Sequence, residues 1–147
     1  VRARVGERQR DARGAAVVEM ALVFPVVVLL VFAVVQYGYH YWALSTAAAT
    51  AREAARQLVV GTDPTCVREE ALAKLAFPHV GSGDPRIRIA YGLPASETAP
   101  AVRGELVTVT VWVDSLDVGL VPVPDGGAIV ESATNRVENV PVDALDC

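Results

Sequence analysis

Between Met20 and Val35 the chain runs sixteen residues without a charge, and apart from Pro25 each is alanine or a larger apolar residue. Extended back to Ala15, the run reaches 21 residues with Glu19 as its single charge. About 20 apolar residues of helix cross a hydrocarbon core, so this segment is long enough to span a bilayer. Twelve of the residues in Met20–Val35 are Leu, Val or Phe. At about −0.3 to −0.6 kcal/mol each they supply roughly −4 to −7 kcal/mol, against a few for a carboxylate at the midplane. Glu19 also stands near the edge of the segment, where the penalty is smaller. Insertion wins, and the mean hydropathy of +0.36 agrees with it.

The net charge of −4 hides an asymmetry. The first 13 residues carry five arginines against Glu7 and Asp11, a net of +3, while the other 134 carry a net of −7. Basic residues beside a span stay on the cytoplasmic side, which predicts the N-terminus inside and residues 40–147 outside. Arginines flanking a span set topology more often than they bind nucleic acid, and no nucleic-acid partner is expected. An outer location puts Cys66 and Cys147, the two cysteines, where disulfides persist. One intramolecular bond between them would close a loop of about 80 residues, a contribution near 4–5 kcal/mol in the chain-entropy picture. Unlinked or intermolecular thiols are the alternative.

Residues 1–13 are polar and read as an unstructured leader. From Ala15 the helical pattern continues past the span through "QYGYHYWALSTAAATAREAARQLVVG" to Gly61. Tyr37, Tyr39, Tyr41 and Trp42 cluster just beyond the apolar run, where aromatic rings favour the membrane interface. His40 reads as part of that cluster. Leu44, Ala48, Ala51, Ala55 and Leu58 recur at intervals of four and three, which predicts a helix face with small residues at its centre. Pro25 and Gly38 are the expected places for a bend.

Gly61 suits a helix C′ position. "TDPTCVREEALAKLAFP" predicts a second helix with Asp63 as N-cap, Pro64 at the first position and Pro78 as its stop. "RIRIAYG" alternates, with Ile87, Ile89 and Tyr91 on one face, and a loop follows over 92–104. "ELVTVTVWVD" is the clearest strand, with Val107, Val109, Val111 and Val113 on one face and Thr108, Thr110 and Trp112 on the other. "SLDVGLVPVPDGG" reads as a loop, and "AIVESATNRVENV" as a strand with poor alternation. Its Ile129, Ala133 and Val137 lie four apart, which would also suit a helix.

The expected fold class is therefore α+β. A long N-terminal membrane-spanning helix continues into a small extracytoplasmic domain with a second helix and a short antiparallel sheet. The expected divisions are a basic cytoplasmic leader over 1–14, a transmembrane helix over 15–36, a helical extension over 37–61 and the outer domain over 62–147. A domain this small gains from the long helix and the disulfide as supports.

Catalytic constellations are missing from the sequence. The only histidine beyond the membrane region is His79, beside Pro78 in a turn, and no Cys/His or paired-His spacing suits zinc. No Gly-rich phosphate loop opens a helix, and no Gly-x-Ser-x-Gly elbow occurs. Glu97, Glu105, Asp114 and Asp117 read as ordinary solvated charges. Neither enzyme activity, nor a cofactor, nor a metal is expected.

One constellation remains: a basic leader, Gly14, then Glu19 as the fifth residue after it, then a span entered N-terminus inward. It resembles the type IV pilin signal, in which a prepilin peptidase cuts after the glycine on the cytoplasmic side. More closely, "RGAAVVEMALVFPVVVLLVFAVVQYGYHYWALSTAAATAREAARQ" resembles the TadE-like family, pseudopilins associated with Tad (Flp) pilus systems. The residues that carry the resemblance are Arg13-Gly14, Val18-Glu19, the apolar run with Pro25, the aromatic exit and Ala51-Arg52-Glu53-Ala54-Ala55-Arg56. It covers roughly residues 13–57. The resemblance implies a structural minor pilin or pseudopilin that takes part in Tad pilus assembly. Its implied partners are the membrane, other pilin subunits, the Tad machinery and a prepilin peptidase. Cleavage after Gly14 would make Ala15 the new terminus, with its ammonium four residues from Glu19 on one helix.

In a bundle of such helices, Glu19 of one subunit can then pair with the terminal ammonium of a neighbour, so that neither charge stands alone in lipid. The plainer alternative makes Glu19 a boundary charge reaching back to water beside Arg13. Two other functional readings stay open on the sequence. One is a single-pass anchored protein whose outer domain binds a ligand, with Gly14 incidental. The other is a secreted protein released near "STAAATA".

Overall fold

The computed structural model describes residues 3–76 and 83–140, with side chains from residue 14 onward. Pro78, His79 and Cys147 lie outside the described residues. The first element, α1, is a 57-residue helix over Ala3–Val59. The leader over 3–13, expected to be unstructured, is thus the first part of this helix. Its alanines, arginines, glutamate and glutamine are good helix formers, and extending an existing helix adds one hydrogen bond per residue without a new nucleus. Pro25 sits inside α1. Neither it nor Gly38 divides the helix.

α1 ends at Gly61, as the sequence predicts. Gly61 has φ +91°, the left-handed conformation that glycine adopts without a Cβ clash. Its N–H donates to the Leu58 carbonyl at 3.3 Å and the Thr62 N–H donates to the Gln57 carbonyl at 3.1 Å. This pair of bonds is a Schellman cap and satisfies carbonyls the helix leaves open. A Cβ on Gly61 would also stand 3.3 Å from Cβ of Asn139. The chain beyond the sheet returns here, and Glu138 and Asn139 both donate backbone N–H bonds to the Val59 carbonyl.

The second helix, α2, covers Pro64–Ala76. Asp63 caps it: the side-chain Oδ1 accepts from the Thr65 N–H at 2.7 Å, and the backbone carbonyl accepts from the Val67 N–H at 3.1 Å. Three strands follow, β1 (Arg86–Tyr91), β2 (Leu106–Asp114) and β3 (Ala128–Arg136), in the antiparallel order β1-β2-β3. Ile89 pairs with Val109, and Val109 with Ala133. Val107, Val109, Val111 and Val113 of β2 are all buried on the inner face, while Thr108, Thr110 and Trp112 are half-buried on the outer one.

β3 resolves the helix-or-strand ambiguity. A spacing of four is even, so Ile129, Ala133 and Val137 share one sheet face as readily as one helix face. Ile129 and Val137 are buried there, and Ala133 packs against the core at half exposure.

α1 lies across the inner faces of β2 and β3, with α2 between α1 and β1. Its buried stripe is Ala43, Ala47, Ala51, Ala54, Ala55 and Leu58. Leu44 and Ala48, expected on that face, are half-buried at its edge. Close approach to the valine-covered sheet favours the smallest side chain on the line of contact, so Ala43 and Ala47 take it and Leu44 fills the flank. From α2, Val67, Ala71 and Leu75 complete the core, and from β1, Ile87, Ile89 and Tyr91. The result is α+β, as expected.

Candidate assembly and membrane-exit site

Gly14, Ala15 and Glu19 lie on α1 and all three are exposed. Nothing comes within 4 Å of the position a Cβ would take on Gly14. Ala15 and Glu19 are four residues apart, one turn and about 6 Å along the axis, on the same face. Among the described residues no side chain pairs with Glu19. From residue 14 to Val35 the helix is exposed throughout except for half-buried Val28 and Ala33. α1 is the one helix among the described residues long and apolar enough to cross a membrane, with a window of mean hydropathy 2.8. That fits a single-pass anchor.

The end of the apolar run is a built site that the sequence reading did not find. The loop after β2, residues 115–127, folds back onto α1 there. Gln36, 1% exposed, donates from Nε2 to Oδ1 of Asp117 at 3.2 Å and to the Val121 carbonyl at 3.0 Å. Tyr37 donates its hydroxyl to the Pro122 carbonyl at 2.7 Å. His40 is buried, with Nδ1 2.9 Å from Oγ of Ser115. His40 is therefore a packed anchor of the loop, where the sequence suggested a ring of the interfacial cluster. Tyr39 and Trp42 stack edge to face at 5.2 Å, and Tyr41 stands exposed.

Strand and helix lengths explain why the loop arrives at this level. Nine residues of β2 cover about 30 Å, close to the rise of α1 from His40 to Val59, about 28 Å. The strand begins beside the capped end of α1 and returns the chain to the exit of the span. Gly127 then fixes Ser115 in place. Its carbonyl accepts from the Ser115 N–H at 2.8 Å, its φ is +87°, and a Cβ on it would lie 3.2 Å from the Ser115 carbonyl oxygen.

Farther up α1, the run Ala51–Arg56 divides by face. Ala51, Ala54 and Ala55 are buried against the sheet. Glu53 faces outward, where the Arg56 guanidinium holds it at 2.8 and 3.0 Å. That bond, first of all, lowers the Glu53 carboxyl below its usual value and raises Arg56. Gln57 bridges from Glu53 to Glu70 of α2, and Lys74 pairs with Glu70 at 2.6 Å. The Lys74 bond is the main cause of the lowered Glu70 carboxyl, followed by Gln57. These groups tie α1 to α2 along an exposed seam.

Cys66 lies half-buried in the first turn of α2, and its expected partner Cys147 is outside the described residues. Among the described residues, no group of three or more His, Cys, Asp or Glu side chains is placed to hold a metal ion. No curated protein and no solved structure matches the chain. A family model does, that of the TadE-like proteins, over residues 14–56. The matched residues are α1 from Gly14 through the apolar run to Arg56, in agreement with the resemblance carried by Gly14, Glu19 and the Ala51–Arg56 run.

Proposed function

We propose that the chain is a minor pilin-like subunit that takes part in assembling a Tad pilus and has no catalytic role. The observation that carries this reading is the exposed apolar helix of 14–35 with a lone carboxylate five residues after Gly14, inside the segment that matches the TadE-like family. An α1 face this apolar must be covered by lipid or by other helices. A pilin-like life supplies both, lipid before assembly and neighbouring subunits after it. In this reading the arginine-rich leader is cytoplasmic, the α+β domain is extracytoplasmic, and a prepilin peptidase cuts between Gly14 and Ala15.

Glu19 has the assembly role. A carboxylate in the helical bundle is costly unless paired, and the new terminal ammonium of a neighbouring subunit can supply the partner. The pair sets register between subunits while the apolar faces supply the packing. The test is complementation of a host lacking this chain with the wild type, Glu19→Gln or Glu19→Ala, scored by surface pili and by recovery of the chain with them. Both variants are expected to insert into the membrane and fail in assembly. Normal pilus number and normal recovery with Glu19→Ala would exclude the pairing.

A further inference from the structure

The loop at the membrane exit carries apolar residues on the outside of the domain. Val118 and Leu120 are 44% and 55% exposed, and they sit between Asp117 and Val121, the two residues bonded to Gln36. The loop leaves β2 at Ser115 beside His40 and descends one helical turn to the level of Gln36. Among the described residues, the bonds to Gln36 are the domain's hydrogen bonds to α1 nearest the span, and residues 118–120 form the tip between them. Ala33, on the face of Gln36 and one turn below it, is half-buried, while Val34 and Val35 are 74% and 54% exposed.

Irregular backbone near lipid is costly unless its polar groups are satisfied by protein. Here the Val121 and Pro122 carbonyls accept from Gln36 and Tyr37. The Gly119 N–H donates to Oδ1 of Asp117 at 2.8 Å, the same oxygen that accepts from Gln36. Pro122 and Pro124 have no N–H to leave open. A loop anchored to the helix by these bonds, an apolar tip and the neighbouring tyrosines are the properties of a segment that lies in the interfacial layer, where water can reach the remaining polar groups.

We propose that the β2–β3 loop is a second membrane contact, with Val118 and Leu120 seated in the outer interfacial layer of the bilayer that α1 crosses. The occupant is lipid of that same leaflet. The domain is thereby held against the membrane, and lifting a subunit out of the bilayer requires releasing the loop as well as the helix. This inference rests on the membrane-spanning reading of α1.

The experiment places one tryptophan at a time in the full chain carrying Trp42→Phe and Trp112→Phe, reconstituted in phosphatidylcholine vesicles. Lipids brominated near the headgroup end of their acyl chains serve as the quencher for 118, 120 and 93. Lipids brominated near the chain end serve for 24, which lies near the middle of the span. Circular dichroism reports the fold. Leu120→Trp and Val118→Trp are the test sites, so one remains if the other variant does not fold. Phe24→Trp reports the span itself. Leu93→Trp is the control, because Leu93 is even more exposed but follows β1 at the far end of the sheet. The expected result is loss of emission at 120, 118 and 24, with none at 93. Quenching at 24 without quenching at 120 or 118 overturns the loop contact and leaves the span intact. Equal quenching at 93 and 120 also overturns it, since the contact would not be specific to this loop. Absence of quenching at 24 removes the span and this inference together.

Discussion

Nδ1 of His40 lies 2.9 Å from Oγ of Ser115, joining the exit of the apolar helix to the end of the central strand across 75 residues of chain. Both side chains are buried. The contact fixes the height of the β2–β3 loop on α1.

Replacing Ser115 with alanine leaves the buried His40 ring nitrogen without its partner. An unsatisfied buried polar group costs about 1–3 kcal/mol. Denaturant unfolding of the domain in micelles is expected to show a loss of that size for Ser115→Ala, and near-wild-type stability for Ser45→Ala, whose hydroxyl bonds only to an exposed carbonyl of its own helix.

Gly127→Ala meets two obstacles at once, a φ of +87° and a carbonyl oxygen 3.2 Å from the new Cβ. Gly119 also has positive φ, +67°, but its Cβ position opens onto empty space. Left-handed backbone alone costs an alanine about 1–2 kcal/mol. Gly119→Ala should lose that much, and Gly127→Ala more, with Ser115 displaced from His40. Equal losses would show that the close approach of Gly127 to Ser115 is unimportant.

The seam between α1 and α2 gives a pH dependence of known sign. Glu53 and Glu70 have folded-state pKa values below the usual 4.5. Their contribution is present above the unfolded value and disappears as pH falls through the folded ones. The groups are exposed, so the effect is small and weakened by salt. Urea midpoints measured from neutral pH down through this range should fall less steeply for Glu70→Gln than for the wild type. A parallel dependence would mean that the seam contributes nothing.

Much of this architecture is legible in the residues themselves. The Asp63 cap, the Gly61 stop and the valine alternation of β2 depend on local chemistry, and each occurs where the sequence predicts it. The spacing of Ile129, Ala133 and Val137 is ambiguous on its own, because a step of four preserves the face of a strand and of a helix alike. Helix rotation is different. Only the sheet decides whether Ala43 or Leu44 lies on the line of contact. The Gln36, His40, Ser115 and Asp117 cluster was hidden for a related reason: its two halves, Gln36 with His40 and Ser115 with Asp117, are 75 or more residues apart and meet only after β2 returns the chain to the end of the apolar run. A Gln and a His four apart at the end of an apolar run were the available signal.

Cys66 and Cys147 form a proposed disulfide that would tie the C-terminal end of the chain to α2. Thiol titration of the denatured, unreduced protein is expected to find no free cysteine in the monomer. Two free thiols would remove the bond, and a disulfide-linked dimer would replace it with an intermolecular one.

The central claim, that this is a processed pilin-like subunit, is tested most directly by intact-mass and N-terminal peptide analysis of the chain isolated from the membranes of its native host. The account predicts a mature chain that begins at Ala15, with Glu19 as its fifth residue. A chain that still carries Gly14 and the arginines before it would contradict the processed-subunit account.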